Sequence, residues 1–111
     1  MESIEKIKSE IIRRLKPLDP EKIIIFGSYA WGTPDENSDI DICVVTKDDF
    51  IPANWAEKNR IHLKIASGLQ DFLQEHPADL IVQTRTMHRT FLESGSTLSR
   101  KIQHDGLVIY E

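Results

Sequence analysis

The chain has 111 residues, which is enough for one domain with a hydrophobic core and too few for two, so we expect a single domain over residues 1–111. Its hydrophobic content of 40% and charged content of 29% are typical of a soluble globular protein, and no apolar run approaches the roughly 20 residues of a membrane span. A net charge of −4 argues against direct binding of duplex nucleic acid, because such proteins are usually basic. The single cysteine, Cys43, permits no internal disulfide, and the charged start does not resemble a signal peptide, so both predict a cytoplasmic protein.

Helical and strand patterns alternate along the chain. Residues 3–16 have the apolar spacing of an amphipathic helix, and short runs rich in β-branched residues predict strands. The expected elements after that first helix are a strand at 22–27, a short helix near 28–32, a polar loop at 33–38, a strand at 39–46, a long helix from the cap Asn54 to about Glu75, a strand from Ala78 to Thr84, two short helices capped by Thr86 and Ser96, and a strand from Leu107 to Tyr110. This alternation predicts an α/β (α+β) fold with a mixed sheet flanked by helices.

A Gly-Ser pair closes the first predicted strand. Gly27 allows the backbone to approach a bound group closely, and the hydroxyl of Ser28 adds a hydrogen-bond donor. Backbone N–H groups at a turn from strand to helix form an anion site. Gly27 and Ser28 are therefore candidates for binding a phosphate, although a simple turn is the plain alternative.

Two carboxylates open the second predicted strand. Because the side chains of a strand alternate between its two faces, Asp39 and Asp41 project from one face, while Ile40 and Ile42 point into a core. Adjacent carboxylates repel one another unless a cation lies between them, and Mg²⁺ prefers oxygen ligands of this kind. The pattern predicts a magnesium site, against the alternative of a solvated strand edge.

The spacing of these two motifs resembles that of a known superfamily. Gly27-Ser28, ten further residues and then Asp39-x-Asp41 resembles the signature of the nucleotidyltransferases that include DNA polymerase β. The finer pattern from Gly27 to Gly32, followed by Ser38-Asp-Ile-Asp41, is similar to the minimal nucleotidyltransferases, called MNT proteins. These are often the antitoxin half of HEPN/MNT toxin–antitoxin systems. The specific residues occupy only Gly27 to Asp41.

The resemblance implies a fold, a reaction and further site residues. It implies the polymerase-β-like nucleotidyltransferase core, and a third acidic residue from a later strand, for which Asp79 is the only acid inside such a predicted strand. Leu80 and Val82 would face the core and leave Asp79 on the opposite face, although a solvated acid at the start of a strand is the plain alternative. Two Mg²⁺ ions would be held by Asp39, Asp41 and Asp79, and the phosphates of ATP by Gly27 and Ser28. An acceptor hydroxyl would attack the α-phosphorus and pyrophosphate would leave. The implied acceptor is a tyrosine of a HEPN ribonuclease toxin, which makes the chain a protein adenylyltransferase and antitoxin.

Other roles stay open at this stage. A catalytically inactive antitoxin that binds its toxin is one alternative, and a small-molecule nucleotidyltransferase of the antibiotic-modifying kind is another; a homo-oligomer is compatible with either. The side chain of Trp31 is expected either to stack on a base or to pack beneath its loop. The side chains of Arg85 and Arg89 are expected either to reach a triphosphate or to remain solvated. Phe50 and Trp55 belong either to a partner surface or to the core.

Overall fold

The structure is a computed structural model that describes residues 3–32 and 39–111, with the backbone alone at Trp31. Four strands and six α-helices occupy these residues. The predicted polar loop at 33–38 lies outside the described residues. In chain order the elements are α1 (Ile4–Leu15), a 3-10 turn (Lys16–Leu18), β1 (Lys22–Phe26), α2 (Ser28–Trp31), β2 (Ile40–Thr46), α3 (Trp55–Gly68), α4 (Gln70–Glu75), β3 (Ala78–Thr84), α5 (Arg85–Glu93), α6 (Thr97–Asp105) and β4 (Leu107–Tyr110).

The four strands form one mixed sheet in the order β3-β2-β1-β4. Strand β1 pairs antiparallel with both β2 and β4, whereas β2 and β3 run parallel. The parallel pair places Asp41 beside Asp79, and the antiparallel pair places Asp41 beside Phe26. The start of β2, the start of β3 and the end of β1 therefore meet at one end of the sheet, which we call the carboxylate end.

Helices cover both faces of the sheet. On one face, alternate isoleucines and valines of β1 and β2 pack against apolar residues of α1, α3 and α4, among them Ile11, Leu15, Ile65 and Phe72. On the other face, Ile102 of α6 and Phe91 of α5 pack against a second cluster, whose strand members are Ile24, Phe26, Cys43, Val45 and Ile81. Asp41 precedes Cys43 by two residues and so lies on this second face. The predicted mixed sheet flanked by helices is confirmed.

The predicted long helix to Glu75 is wrong in one respect, because it divides into α3 and α4 at Leu69. Gly68 explains the position of the break. A Cβ at Gly68 would lie 2.8 Å from Cδ1 of Leu18 and 3.7 Å from the carbonyl oxygen of Arg14, so α3 approaches the end of α1 closely there. The chain then turns at Leu69, whose N–H bonds to Ala66 in a tightened last turn.

The predicted cap of α5 is also wrong. Thr84, not Thr86, caps this helix, since the side chain of Thr84 accepts a hydrogen bond from the N–H of Met87. The hydroxyl of Thr86 instead donates to the carbonyl oxygen of Asp49, at 2.7 Å. The strand therefore passes directly into the helix. The other predicted caps, Asn54 and Ser96, are confirmed by their side-chain hydrogen bonds to Glu57 N–H and Ser99 N–H.

Candidate active site

The turn after β1 has a backbone conformation that suits glycine alone. Gly27 has φ +78° and ψ −157°, a region that residues with a Cβ rarely adopt. Its carbonyl oxygen accepts a hydrogen bond from the N–H of Ala30, which starts the single turn of α2. Gly32, with φ +76°, ends this helix. Ser28 begins α2 and stays partly exposed, whereas the neighbouring Tyr29 is buried and packs in the core.

Gly27 lies directly against the carboxylate of Asp41. A Cβ at Gly27 would collide with Oδ2 of Asp41, so the missing side chain creates the space that this carboxylate occupies. The contact follows from the sheet, because Phe26 pairs with Asp41 across β1 and β2. The two sequence motifs, Gly27-Ser28 and the aspartates, are therefore parts of one structure at the carboxylate end of the sheet.

Asp41 and Asp79 are neighbours on adjacent parallel strands. Strands in a sheet lie about 4.8 Å apart, and paired residues project from the same face. Leu80 and Val82 of β3 pack into the first core cluster, which leaves Asp79 on the face of Asp41. The strand register thus places Asp79 beside Asp41, on the face opposite the first core cluster.

The electrostatics of Asp41 show the cost of this arrangement. Burial raises the pKa of the Asp41 carboxyl, and the negative charge of Asp79 raises that pKa further. The charge of Asp39 and a hydrogen bond with the Asp79 carboxyl act in the same direction, while the ammonium of Lys101 opposes them. A partly buried carboxylate with acidic neighbours is a place where a cation lowers the energy.

Asp39 occupies a different position from its two partners. It is exposed and immediately precedes β2, although it is close enough for its charge to raise the pKa of Asp41. Within residues 3–32 and 39–111, no three acidic, histidine or cysteine side chains converge tightly enough to hold a metal ion. The structure therefore brings Asp41 and Asp79 together, and leaves Asp39 at the margin of the pair.

The donor set nevertheless fits a hard divalent cation. Asp41 and Asp79 supply oxygen ligands on one face, and Asp39 lies close enough for its charge to act on Asp41. Mg²⁺ is commonly bound by one or two carboxylates, with water and substrate phosphates completing its octahedron. A cation bound between these carboxylates would offset the causes that raise the pKa of Asp41, which are its burial and its acidic neighbours.

The two arginines that were candidates for phosphate binding lie elsewhere. Arg85 begins α5 at the opposite end of β3 from Asp79, where its guanidinium forms ion pairs with Glu21 at 2.7 Å and Asp49 at 3.1 Å. This arginine stabilises the far end of the sheet and does not reach a triphosphate. Arg89 is exposed one turn later on α5.

Lys101 is the cation that the sequence reading missed. Lys101 immediately precedes Ile102, which lies in the same apolar cluster as Phe26 and Cys43. Phe26 pairs with Asp41 across β1 and β2, and Cys43 follows Asp41 by two residues in β2. Only the packing of α6 onto the sheet brings this lysine near the carboxylates. A helical lysine with no motif around it gave no signal in the sequence that could have identified it.

The remaining candidates divide between core and surface. Cys43 is buried, which raises the pKa of its thiol to about 12, and it serves as a small core residue. Trp55 is 77% exposed and Phe50 is 44% exposed, so the core alternative for these two residues is wrong. The side chain of Trp31 lies outside the described residues. No helix among the described residues is long and apolar enough to cross a membrane.

Solved structures share this fold. A chain in a crystal structure of a toxin–antitoxin with AMP-PNP has a TM-score of 0.55 and 29% identity, covering 93% of this chain and 72% of its own. A chain in a mutant of the toxin–antitoxin MntA-HpeT has a TM-score of 0.54 and 27% identity, and the match again covers 93% of this chain and 72% of the other. A structure named "putative nucleotidyltransferase" from Sulfolobus solfataricus has a TM-score of 0.56 and 20% identity. That match covers 98% of this chain and 80% of the other, and it supports the fold alone.

Similar sequences agree with the structural neighbours. Two proteins of Methanocaldococcus jannaschii, each named "putative protein adenylyltransferase", are 40% identical over 67 residues and 47% identical over 49 residues. These matches cover 60% and 44% of this chain, and 63% and 44% of the relatives, so the chain aligns with less than two thirds of either one. Residues 4–105 match the family model described as "Nucleotidyltransferase domain". The family expected from the Gly-Ser and Asp-x-Asp motifs is confirmed, and the chain belongs to the nucleotidyltransferase domain family.

Proposed function

We propose that the chain is a Mg²⁺-dependent nucleotidyltransferase that transfers AMP from ATP to a hydroxyl of a partner protein. The observation that carries this proposal is the contact of Gly27 with Asp41, combined with the pairing of Asp41 and Asp79. A turn suited to phosphates and two carboxylates suited to a metal are thereby joined over three neighbouring strands. Transfer of phosphoryl and nucleotidyl groups depends mainly on positioning and charge stabilisation, which such an arrangement supplies.

The donor side of the reaction is at β1. The backbone turn at Gly27 lies against the carboxylate of Asp41, and the hydroxyl of Ser28, which is partly exposed, is available to donate to phosphate oxygens. Lys101 adds a positive charge on the same face as Asp41. These residues would hold the β- and γ-phosphates, so that the α-phosphorus lies over β2 and Asp41.

The acceptor side is at β3. Asp79 is exposed, and its carboxylate would accept the proton of the acceptor hydroxyl as that oxygen bonds to the α-phosphorus. The bond between the α-phosphorus and the bridging oxygen breaks, and pyrophosphate leaves with that oxygen toward β1. Asp39, Asp41 and Asp79 would hold the magnesium. When bound, Mg²⁺ neutralises charge on the phosphates and favours the departure of pyrophosphate.

Two comparisons support a protein acceptor and an antitoxin role. The relatives from Methanocaldococcus jannaschii are each named "putative protein adenylyltransferase", and two of the structural neighbours come from toxin–antitoxin structures, one of them with AMP-PNP. We propose that this chain likewise modifies a toxin. The HEPN ribonuclease class of toxin follows from the resemblance to MNT proteins, and adenylylation of its tyrosine would silence it.

The proposal is tested by label transfer from α-labelled ATP with Mg²⁺ in a lysate of the source cell. Wild type is compared with the double variant Asp39→Asn/Asp41→Asn and with the control variant Asp105→Asn. Asp105 is an exposed aspartate and the last residue of α6. We expect one labelled protein with wild type and the control, and none with the double variant. Mass spectrometry would identify the acceptor and the modified residue.

Each other result has a distinct meaning. A label on a small molecule would replace the protein acceptor by an antibiotic-type substrate. No label, together with no binding of AMP-PNP and Mg²⁺ by calorimetry, would reduce the chain to a binding module without catalysis. Equal labelling by the double variant would overturn the assignment of the carboxylates.

A further inference from the structure

One edge of the sheet is open beside the candidate active site. Among residues 3–32 and 39–111, strand β3 pairs only with β2 and lies at the edge of the sheet, so one row of its backbone N–H and C=O groups has no strand partner there. A groove of about 240 Å³ follows this edge and is lined by Lys58, Leu80, Ile81, Val82, Gln83 and Met87. An unpaired strand edge is a template for an extended segment of another protein.

The groove leads to the carboxylate end. Leu80 lines the groove, and Asp79 is the residue immediately before it in β3. A segment lying along Leu80 to Gln83 therefore continues past Asp79.

The order of the strands fixes the side from which the acceptor enters. In a displacement at phosphorus, the attacking oxygen and the leaving oxygen lie roughly in line on opposite sides. The phosphate turn at Gly27 follows β1, the central carboxylate is on β2, and Asp79 is on β3. If pyrophosphate leaves over β1, then the hydroxyl approaches from β3, which is the open edge.

We propose that the acceptor protein binds by adding an extended segment to the free edge of β3, with its reactive hydroxyl opposite Asp79. This inference rests on the proposed function and names how that function's substrate is recognised. An added strand lies about 4.8 Å from β3, and a residue opposite Asp79 projects onto the same face as its carboxylate. The register thus places a serine or threonine hydroxyl beside Asp79, and the longer side chain of a tyrosine can extend from there toward Asp41.

The side chains of the groove define the chemistry of the segment. Residues opposite Leu80 and Val82 would face α3, where Lys58 is exposed and makes no ion pair with any residue in the described ranges, so an acidic residue fits there. Residues opposite Ile81 would face Met87 of α5, so an apolar residue fits there. The expected acceptor is an extended segment with a hydroxyl residue followed by alternating acidic and apolar positions.

The transfer step balances without further reactants. The hydroxyl oxygen of the acceptor bonds to the α-phosphorus of ATP, and its proton passes to the carboxylate of Asp79. The bond from the α-phosphorus to the bridging oxygen breaks, and pyrophosphate leaves. The segment then carries a phosphodiester-linked AMP, whose bulk at the edge of β3 favours release.

The first test measures label transfer to the lysate protein with charges placed in the groove. Met87→Asp and Lys58→Glu are compared with Val108→Asp, which adds the same single negative charge as Met87→Asp to β4, the opposite edge of the sheet, at a residue that is 43% exposed. We expect the two groove variants to lower the initial rate of labelling by about tenfold or more, because Met87→Asp buries an unpaired charge and Lys58→Glu repels the acidic residue of the segment. Val108→Asp should label as wild type does.

Binding of AMP-PNP with Mg²⁺ separates this inference from the proposed function. The groove variants should bind AMP-PNP as wild type does, because none of the changed residues belongs to the phosphate turn or the carboxylates. Labelling at the wild-type rate by both groove variants would overturn the strand-addition model and leave the proposed function intact. Failure of wild type to bind AMP-PNP and to label any protein would overturn both.

Amide hydrogen exchange then tests strand addition itself. With the identified acceptor protein added in the presence of AMP-PNP, amides of Leu80 to Gln83 that point outward should exchange at least about tenfold more slowly, whereas those of β4 should not change. Docking through side chains alone would leave the exchange of β3 unaltered. That result would overturn strand addition even if the groove variants had lost activity.

Discussion

Replacing the central carboxylate should make the metal-free protein more stable while it abolishes transfer. In Asp41→Asn, a neutral amide replaces a carboxylate that is partly buried beside Asp79. Two unit charges about 5 Å apart repel by roughly 0.8 kcal/mol in water and by roughly 3 kcal/mol at an effective dielectric constant of about 20. Because Asp41 is only partly buried, we expect a gain of about 1–2 kcal/mol in the free energy of unfolding. For a domain of this size, that gain is a rise of about 4–10 °C in Tm.

The pH dependence gives the sign of this effect independently. The native state raises the pKa of Asp41 above its ordinary value of 3.8, so the native protein binds this proton more tightly than the unfolded chain does. The wild-type stability from this group is therefore complete below pH 3.8 and is lost as the pH rises through the raised pKa. The advantage of Asp41→Asn should be absent near pH 3 and complete at pH 7.5.

Thermal unfolding in EDTA at both pH values is the assay, followed by a titration with MgCl₂. Magnesium should stabilise the wild type and not Asp41→Asn, because only the wild type retains the central ligand. Asp79→Asn provides the matched control. In a double-mutant cycle, the gains of Asp41→Asn and Asp79→Asn should add to more than the gain of the double variant, since each removes the same repulsion. A fall in Tm for Asp41→Asn in EDTA at pH 7.5 would refute the electrostatic reasoning.

The remaining predictions concern the turn and two buried groups. Gly27→Ala should destabilise the fold by about 2 kcal/mol or more and abolish AMP-PNP binding, because its Cβ would meet Asp41 and alanine disfavours this backbone conformation. Gly32→Ala is the control, since Gly32 also has a positive φ of +76° but has open space around it. It should lower the free energy of unfolding in urea by about 1 kcal/mol and still bind AMP-PNP. The thiol of Cys43, with its pKa raised by burial to about 12, should react with a thiol reagent at pH 8 only as fast as the protein opens, and rapid labelling of the folded protein would contradict its burial. Burial lowers the pKa of His88, and the charge of Lys22 acts in the same direction. The stability contributed by this group should therefore be complete above pH 6.5 and fall as the pH drops below that value. Urea unfolding at about pH 5 and about pH 7.5 should show a smaller change of stability with pH in His88→Gln than in wild type.

The sequence predicts the strands better than the helix boundaries. Strand β3 spans Ala78 to Thr84 and β4 spans Leu107 to Tyr110, as the β-branched and aromatic runs indicate. The break after Gly68 depends on the approach of Leu18 from another part of the chain, and no local pattern encodes such an approach. The cap at Thr84 depends on the strand passing directly into a helix.

The same division applies to the candidate site. Gly27, Ser28, Asp39 and Asp41 lie within one short segment, so their spacing and strand period are legible in the sequence. Their juxtaposition with Asp79 requires the parallel pairing of β2 and β3, which a strand pattern permits but does not specify. Lys101 lies near the carboxylates only because Ile102 packs α6 against the sheet. Arg85 lies away from the carboxylates because it forms ion pairs with Glu21 and Asp49 at the far end of the sheet. Local chemistry is readable in the sequence, while charge contributed by distant elements depends on tertiary packing.

The sheet order links stability, catalysis and recognition in this small domain. The phosphate turn lies after β1, the carboxylate with the raised pKa lies on β2, and Asp79 lies on β3, beside the only sheet edge that reaches the carboxylate pair among the described residues. A protein partner that paired permanently with this edge would bind the free backbone groups of β3, but it would exclude an acceptor strand. The open edge is therefore consistent with transient pairing, in the same way that the repulsion at Asp41 is consistent with transient metal binding. The repulsion at Asp41 costs stability in the isolated chain, and we expect a cation bound there to remove that cost.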